Sequence, residues 1–110
     1  MNTRDLGDKL EKDLENLLGM RRTAKSGAHW DNADLSSRSL LIEAKVKNTA
    51  KWLQPSRAEI IKLIKQAKAV GKEWAYVQRN SAGDFVVLDL NFFAELIEAW
   101  KNENQNNSTS

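Results

Sequence analysis

Two acidic residues and a lysine stand close together on a stretch whose pattern is typical of a β-hairpin. Asp34 lies on the first arm, and Glu43 and Lys45 lie two residues apart on the apolar second arm. Because side chains alternate between the two faces of a strand, Glu43 and Lys45 point to the same face. Carboxylates held close together repel each other unless a proton or a hard cation lies between them. The pattern therefore predicts a Mg²⁺ site with a lysine beside it.

The face on which Asp34 lies depends on the hairpin register. With a two-residue turn at Ser37-Arg38, Asp34 pairs with Leu41 and shares the face of Glu43. A turn with an odd number of residues, or a bulge, would break that parity. Asp31 is a competing acid for the metal, but in this register it faces away. We therefore expect Asp34 to be the metal acid.

Composition excludes several other kinds of site. The chain has 110 residues and no cysteine, which rules out disulfides, thiolate metal sites and thiol nucleophiles. A chain of this length predicts one domain over residues 1–101, followed by a polar tail, 102–110, that we expect to be disordered. It carries no apolar run long enough for a membrane helix and no apolar segment like that of a signal peptide near its start. We therefore expect a cytoplasmic protein.

Basic residues flank the hairpin although the net charge is only +2. These groups could contact the phosphates of a nucleic acid, or they could be a solvated basic edge. They are Arg21, Arg22 and Lys25 before the hairpin, and Lys45, Lys47, Lys51 and Arg57 at its end and beyond it.

The hydrophobic spacing predicts an α/β domain with one mixed sheet. A leucine stripe predicts a first helix that ends at Gly19, and a second helix runs from near Pro55 to Gly71. Strands are expected at residues 20–23, on both arms of the hairpin, at 74–77 and at 85–88. The order is helix, three strands, helix, two strands, helix, with an early antiparallel meander and a parallel crossover through the second helix.

A third amphipathic helix is expected near the end of the chain. Its apolar stripe could belong to the core or, in part, to a dimer surface. The stripe consists of Phe92, Phe93, Leu96, Ile97 and Trp100.

Five features in order resemble the PD-(D/E)XK nuclease superfamily, and most closely its archaeal-type and phage Holliday junction resolvases. The resemblance covers roughly residues 7 to 98. The features are a glutamate in the first helix, a Gly-Arg-Arg-like turn, a Ser-Gly loop, an acid, and a Glu-x-Lys strand, which here read Glu11, Gly19-Met20-Arg21-Arg22, Ser26-Gly27-Ala28, Asp34 and Leu41-Ile42-Glu43-Ala44-Lys45.

The chain departs from this family pattern in two ways. The proline of the superfamily name is replaced by Ala33, although resolvases commonly lack that proline. No glutamine is clearly placed like the one found in some branches: Gln54 and Gln66 are both possible, and neither matches it clearly.

The resemblance implies a restriction-endonuclease-like core that hydrolyses DNA with Mg²⁺, for which Mn²⁺ can substitute. Asp34, Glu43 and the Ala44 carbonyl would bind the metal, and Glu11 would assist through a water molecule. Lys45 would orient the attacking water or help to deprotonate it. The residues expected to contact DNA are Arg21, Arg22, Lys25, Ser26, Lys47 and Lys51.

By the same resemblance, the protein would act as a homodimer in DNA recombination and repair, cutting four-way junctions by paired symmetric nicks. The shortness of the chain suits a phage gene or a prokaryotic host. Two alternatives stay open: a related nuclease acting on flaps, nicks or ends, and a non-catalytic DNA-binding module with the same fold. Two of these features also have a simpler interpretation. A Glu-x-Lys pair on a strand is most often an exposed salt bridge, and His29 is isolated from residues with which it could act in catalysis.

Overall fold

A five-stranded mixed sheet with three helices forms the domain. The computed structural model describes residues 3–23, 34–48, 53 and 55–108. The predicted order of elements is confirmed. The elements are α1 (Thr3–Leu18), β1 (Arg21–Arg22), β2 (Leu35–Ser36), β3 (Leu40–Lys47), α2 (Arg57–Ala69), β4 (Glu73–Asn80), β5 (Gly83–Leu88) and α3 (Leu90–Ser108).

The strands lie in the order in which they occur in the chain, β1-β2-β3-β4-β5. The first three form an antiparallel meander, and β4 and β5 form a second antiparallel pair. Between them, β3 and β4 run parallel over eight residue pairs, and α2 makes the connection. A parallel pair needs a crossover of this kind, so the helix after β3 follows from the topology. This arrangement was predicted.

Helices α1 and α2 cover opposite faces of the sheet. Leu10 and Leu14 of α1 pack with Ile42 of β3 in one cluster of buried side chains. Leu63 of α2 packs with Leu41 of β3 in the other. Because neighbouring residues of β3 point to opposite faces, one strand supplies both clusters. We call these faces the α1 face and the α2 face.

Both expected glycines end helices, and the start of α2 is fixed by a cap. Gly19 and Gly71 adopt a positive φ of 66°, which glycine tolerates better than other residues. At the other end of α2, the Ser56 hydroxyl accepts a hydrogen bond from the Glu59 amide at 3.3 Å. Ser56 is the N-cap, so Pro55 precedes the helix instead of lying in its first turn.

Helix α3 is longer and more exposed than the sequence predicts. Its cap is Asp89, whose carboxylate accepts a hydrogen bond from the Phe92 amide at 3.2 Å. The helix runs on to Ser108, through most of the segment expected to be disordered. Among its residues 90–105, only Phe92 and Ile97 are half-buried and the rest are exposed. Polar residues such as those after Trp100 can continue an existing helix without burying any surface, because propagation costs less than nucleation. Within the described ranges, no helix combines the length and apolar character needed to cross a bilayer.

Arg79 of β4 joins α1 to the β4–β5 hairpin. Its guanidinium contacts both carboxylate oxygens of Asp84, at 2.8 and 3.0 Å, and one oxygen of Asp13 at 2.9 Å. Hydrogen bonds from Arg79 hold the pKa of both aspartates below the ordinary value of 3.8, against the opposing effect of desolvation. The bidentate geometry makes this pair more specific than a single surface contact.

We expect this cluster to contribute stability that acid removes. A depressed aspartate pKa stabilises the folded protein fully above the unfolded-state value near 3.8, and the contribution is lost as pH falls below it. Replacing Arg79 by Met should therefore lower the urea midpoint at pH 7, and the difference from the wild type should shrink below pH 3.8. An Arg4→Met variant is the control. A difference between Arg79→Met and the wild type that stays constant down to pH 2 would contradict this account.

Candidate functional site

The turn of the β2–β3 hairpin lies one residue later than predicted. Ser36 pairs with Leu41, and the Ser37 amide donates a hydrogen bond to the Leu40 carbonyl at 2.9 Å. The turn residues are therefore Arg38-Ser39, and the predicted turn is wrong.

Burial explains the observed hairpin register. It places Leu35, which is fully buried, opposite the equally buried Ile42. The predicted register would have set Leu35 against Leu40, which is only half-buried. Pairing the two most buried side chains removes more apolar surface from water.

Asp34 lies opposite Glu43 when this register is continued by one residue. The turn has two residues in both registers, so Asp34 stays on the predicted face of the sheet. Its cross-strand partner, however, is Glu43 instead of Leu41. Its carboxylate is buried, and Oδ2 accepts a hydrogen bond from the Ala44 amide at 2.9 Å. In an uninterrupted ladder, a backbone carbonyl would accept such a bond. The Asp34 carboxylate thus lies directly against the peptide that joins Glu43 to Ala44.

The Ala44 carbonyl belongs to the same edge of β3. In an antiparallel ladder, the N–H and C=O of one residue point toward the same neighbouring strand. Since the Ala44 amide points at Asp34, we infer that its carbonyl points to that side as well. Two carboxylates and a carbonyl are hard oxygen donors of the kind that bind Mg²⁺.

Lys45 lies beyond Glu43 on the α2 face and forms an ion pair with Glu59 of α2. Its Nζ is 3.7 Å from Glu59 Oε1, and 44% of the lysine side chain is exposed. The other oxygen of Glu59 is buried and has no hydrogen-bond partner within the described part of the chain. Burying a carboxylate oxygen without a hydrogen bond costs free energy, so the surrounding structure must hold Glu59 in this position.

Sequence reasoning did not find Glu59. A usable signal was present, because Ser56 and Glu59 have the Ser-x-x-Glu spacing of a capping box. That spacing fixes a glutamate in the first turn of a helix. Only the packing of α2 against β3 brings this glutamate to Lys45.

A row of buried polar side chains on β4 also borders the site. Gln78 donates to the Tyr76 hydroxyl at 3.3 Å, and its Oε1 accepts from Asn80 at 3.2 Å. In the parallel register, Tyr76 lies beside Glu43 and Gln78 beside Lys45. Alternating polar residues on a strand are a signal that sequence reasoning missed.

Gln78 is therefore the glutamine that the structure brings next to the predicted site. Gln66 lies on α2, half-buried. Gln54 lies outside the described residues.

The charges of the site act on Tyr76. Burial raises the pKa of the Tyr76 hydroxyl, the hydrogen bond from Gln78 lowers it, and Glu59 raises it further. Weaker effects follow from Lys45, which lowers the pKa, and from Glu43, which raises it. All of these groups therefore surround one phenol, which stays neutral at physiological pH.

Glu11 lies on α1, which packs on the opposite face of the sheet from Glu43 and Lys45. It is half-buried, next to the buried Leu10. Among the described residues, no group of three or more acids or histidines is placed to hold a metal ion together. The structure thus brings together Asp34, Glu43 and Lys45 and leaves Glu11 on the other face.

The two arginines of β1 differ in their surroundings. Arg22 contacts the Glu15 carboxylate at 2.9 Å and donates to the Asp8 carbonyl at 2.8 Å, so it links β1 to α1. Arg21 is exposed. Lys47 is half-buried at the end of β3, opposite Asn80.

Several residues named from the sequence lie outside the described part of the chain. They are Lys25, Ser26, Gly27, Ala28, His29, Asp31, Ala33 and Lys51.

Comparisons with known proteins identified no relative of this chain. No protein-family model matches it, and neither a curated protein nor a solved structure is similar enough to count as a match. Function is therefore inferred from the residues themselves and from the motif resemblance.

The hydrogen bond from Ala44 to Asp34 predicts different stabilities for two variants. Asp34→Ala removes the acceptor and leaves a partly buried amide unpaired, which should cost about 1–3 kcal/mol. Asp34→Asn keeps an oxygen at the same position and should retain most of the stability. Urea denaturation of both variants measures the difference. Equal stability of the two variants would show that the Ala44 amide does not need this acceptor.

Proposed function

We propose that the protein is a Mg²⁺-dependent endonuclease that cuts branched DNA and resolves four-way junctions. The observation that carries the proposal is the buried Asp34 carboxylate held against the Glu43–Ala44 peptide, with Lys45 next on the same face. The motif resemblance supplies the reaction. The register supports it, since it makes Asp34 and Glu43 cross-strand neighbours.

The residues of the site suit phosphodiester hydrolysis. Asp34, Glu43 and the Ala44 carbonyl would hold Mg²⁺, which neutralises charge on the phosphoryl oxygens and lowers the pKa of bound water. Lys45 would orient the attacking water through its ammonium, a compact point charge. Because α1 lies on the other face, we assign Glu11 at most a water-mediated contact.

Glu59 gives Lys45 an acidic neighbour on α2, in addition to Glu43 and Asp34. Without it, the ammonium would have Glu43 and Asp34 as its nearest acids and would compete with a metal for them. The ion pair with Glu59 keeps the Lys45 ammonium close to the proposed metal ligands but directed toward α2. Glu59 is thus a positioning residue for Lys45.

DNA would be bound through its backbone. The exposed Arg21 lies on β1, which pairs with β2, and the half-buried Lys47 lies on β3, the strand of Glu43 and Lys45. Phosphate contacts from such residues fix position without reading bases. Lys25, Ser26 and Lys51 belong to the same proposal by the motif resemblance. Paired symmetric nicks require two active sites related by a two-fold axis, so we propose a homodimer.

Cleavage of a mobile four-way junction tests the proposed function. With Mg²⁺ or Mn²⁺, the wild type should introduce paired symmetric nicks. Asp34→Asn, Glu43→Gln and Lys45→Met should each lower the rate at least about a hundredfold while retaining junction binding, because each removes a metal ligand or the water-orienting group but not the fold. Denaturing gels give the rate and gel shifts give the binding.

Matched controls are available on the two elements that border the site, β4 and α2. Glu73→Gln removes a carboxylate at the other end of β4, and Lys62→Met removes an exposed ammonium from α2. Both should cut normally.

Equal cutting of flaps, nicked duplex and junctions would favour the related-nuclease alternative. A wild type that binds but cuts none of these substrates would leave the non-catalytic DNA-binding module.

Salt dependence separates the two arginines of β1. If Arg21 contacts a phosphate, Arg21→Ala should weaken junction binding and make the slope of log K against log salt shallower by about one. Arg22→Ala should mainly lower the stability of the fold, because Arg22 is engaged with Glu15 and Asp8. Fluorescence anisotropy over a salt series, together with urea melts, measures both effects. An unchanged slope for Arg21→Ala would remove it from the DNA-binding surface.

A further inference from the structure

Helix α3 carries an apolar stripe that the described part of its own chain leaves largely uncovered. Leu90, Phe93, Ile97 and Trp100 follow the alternating three- and four-residue spacing of a helix–helix seam. Leu90 is 77% exposed, Phe93 47% and Trp100 64%, whereas Ile97 is half-buried. Leu96 beside them is exposed as well. We call these five residues the α3 stripe.

The adjoining strand adds to this surface. β5 is the last strand of the sheet, and it ends two residues before α3 begins. Its Phe85 and Val86 are also exposed, but as neighbours on a strand they point to opposite faces of the sheet, so only one of them can extend the surface of α3. No lysine or proline lies on β5 to discourage a partner at this edge, and its only charged side chain is Asp84, near its start.

The exposed apolar area approaches what a stable interface requires. A whole aromatic side chain presents roughly 150–250 Å², so the exposed parts of Phe93 and Trp100 amount to about 250 Å². With the exposed leucines of the stripe and one of the two β5 residues, the total is about 500 Å² per copy. Standard interfaces bury about 800 Å² per partner, polar rim included. An apolar patch of this size is among the largest that a typical monomer exposes, and such patches are often functional.

The charge of α3 argues against a nucleic acid as the occupant. Its ionisable residues are Glu95, Glu98, Lys101 and Glu103, which sum to a negative charge. A phosphate backbone would be repelled by such a helix.

The spacing of the stripe favours a second copy of the same helix. Leu90 and Trp100 are equally far from Glu95 in sequence, and so are Phe93 and Ile97. An antiparallel pair centred at Glu95 therefore puts Leu90 of one copy beside Trp100 of the other, and Phe93 beside Ile97. A surface that matches itself in this way is what a two-fold interface requires.

We propose that the α3 stripe is the dimer interface, covered by the α3 stripe of a second copy across a two-fold axis. This names the contact surface of the homodimer in the proposed function, but it depends only on α3 and β5. A chain that dimerises through α3 without cutting DNA would leave this inference intact and remove the proposed function. A dimer that cuts junctions but does not depend on the α3 stripe would do the reverse.

Analytical ultracentrifugation of the full chain, without DNA, tests the interface. The wild type should be a dimer at micromolar concentration. Phe93→Asp and Trp100→Asp should each raise the dissociation constant roughly thirtyfold or more, as expected when an aromatic anchor is lost. Val70→Asp places the same charge at an exposed apolar position at the end of α2 and should leave the dimer unchanged. Circular dichroism verifies that all variants are folded.

Engineered cysteines give a second measurement, since the chain has none of its own. Ala94→Cys, near the proposed axis, should form a disulfide-linked dimer on mild oxidation, and Ala69→Cys at the end of α2 should not. A wild type that stays monomeric at about 200 µM would overturn the proposal. So would a dimer that both aspartate variants leave intact, or an Ala94→Cys chain that crosslinks no better than Ala69→Cys.

Discussion

Side chains alternate between the two faces of β3, and this alternation sets the positions of both hydrophobic clusters and of the candidate site. This strand has β2 on one side, β4 on the other, and a helix on each face. Ile42 packs on the α1 face and Leu41 on the α2 face. The alternation then determines the face to which each following side chain of β3 points. Glu43 and Lys45 are thereby placed under the start of α2. The same alternation keeps α1, and Glu11 with it, on the other face.

Charge on the α2 face is accommodated by polar neighbours, because the apolar core ends there. Leu41 packs with Leu63, Ala67 and Tyr76, and beyond Tyr76 the row continues as Gln78 and Asn80. The polar atoms of this row bond to one another, which satisfies groups that would otherwise be costly to bury. A site for charged chemistry can therefore adjoin a hydrophobic core. Within the described residues, one buried oxygen of Glu59 has no hydrogen-bond partner, which adds an energetic cost at this end of the face.

Two parts of the molecule, the Arg79 cluster and α3, do not depend on the alternation along β3. Arg79 binds α1 to the β4–β5 hairpin through Asp13 and Asp84, which strengthens the far end of the sheet. Helix α3 adds little to the core of its own chain, although it is the longest helix. A helix of this length that buries few of its side chains is easier to understand if a second copy covers its apolar stripe. The monomer would then be an incomplete unit of the protein.

Local sequence patterns were enough to predict the order of elements, the mixed sheet and the common face of Asp34, Glu43 and Lys45. These follow from local periodicity and from the parity of strand pairing, which are properties of short segments. Tertiary structure alone decided the turn at Arg38-Ser39, because two turns of equal length differ only in which buried side chains they pair. It also decided that Glu59 and Gln78 border the site and that α3 stays exposed. Each of these depends on how distant segments pack, and no local pattern contains that information.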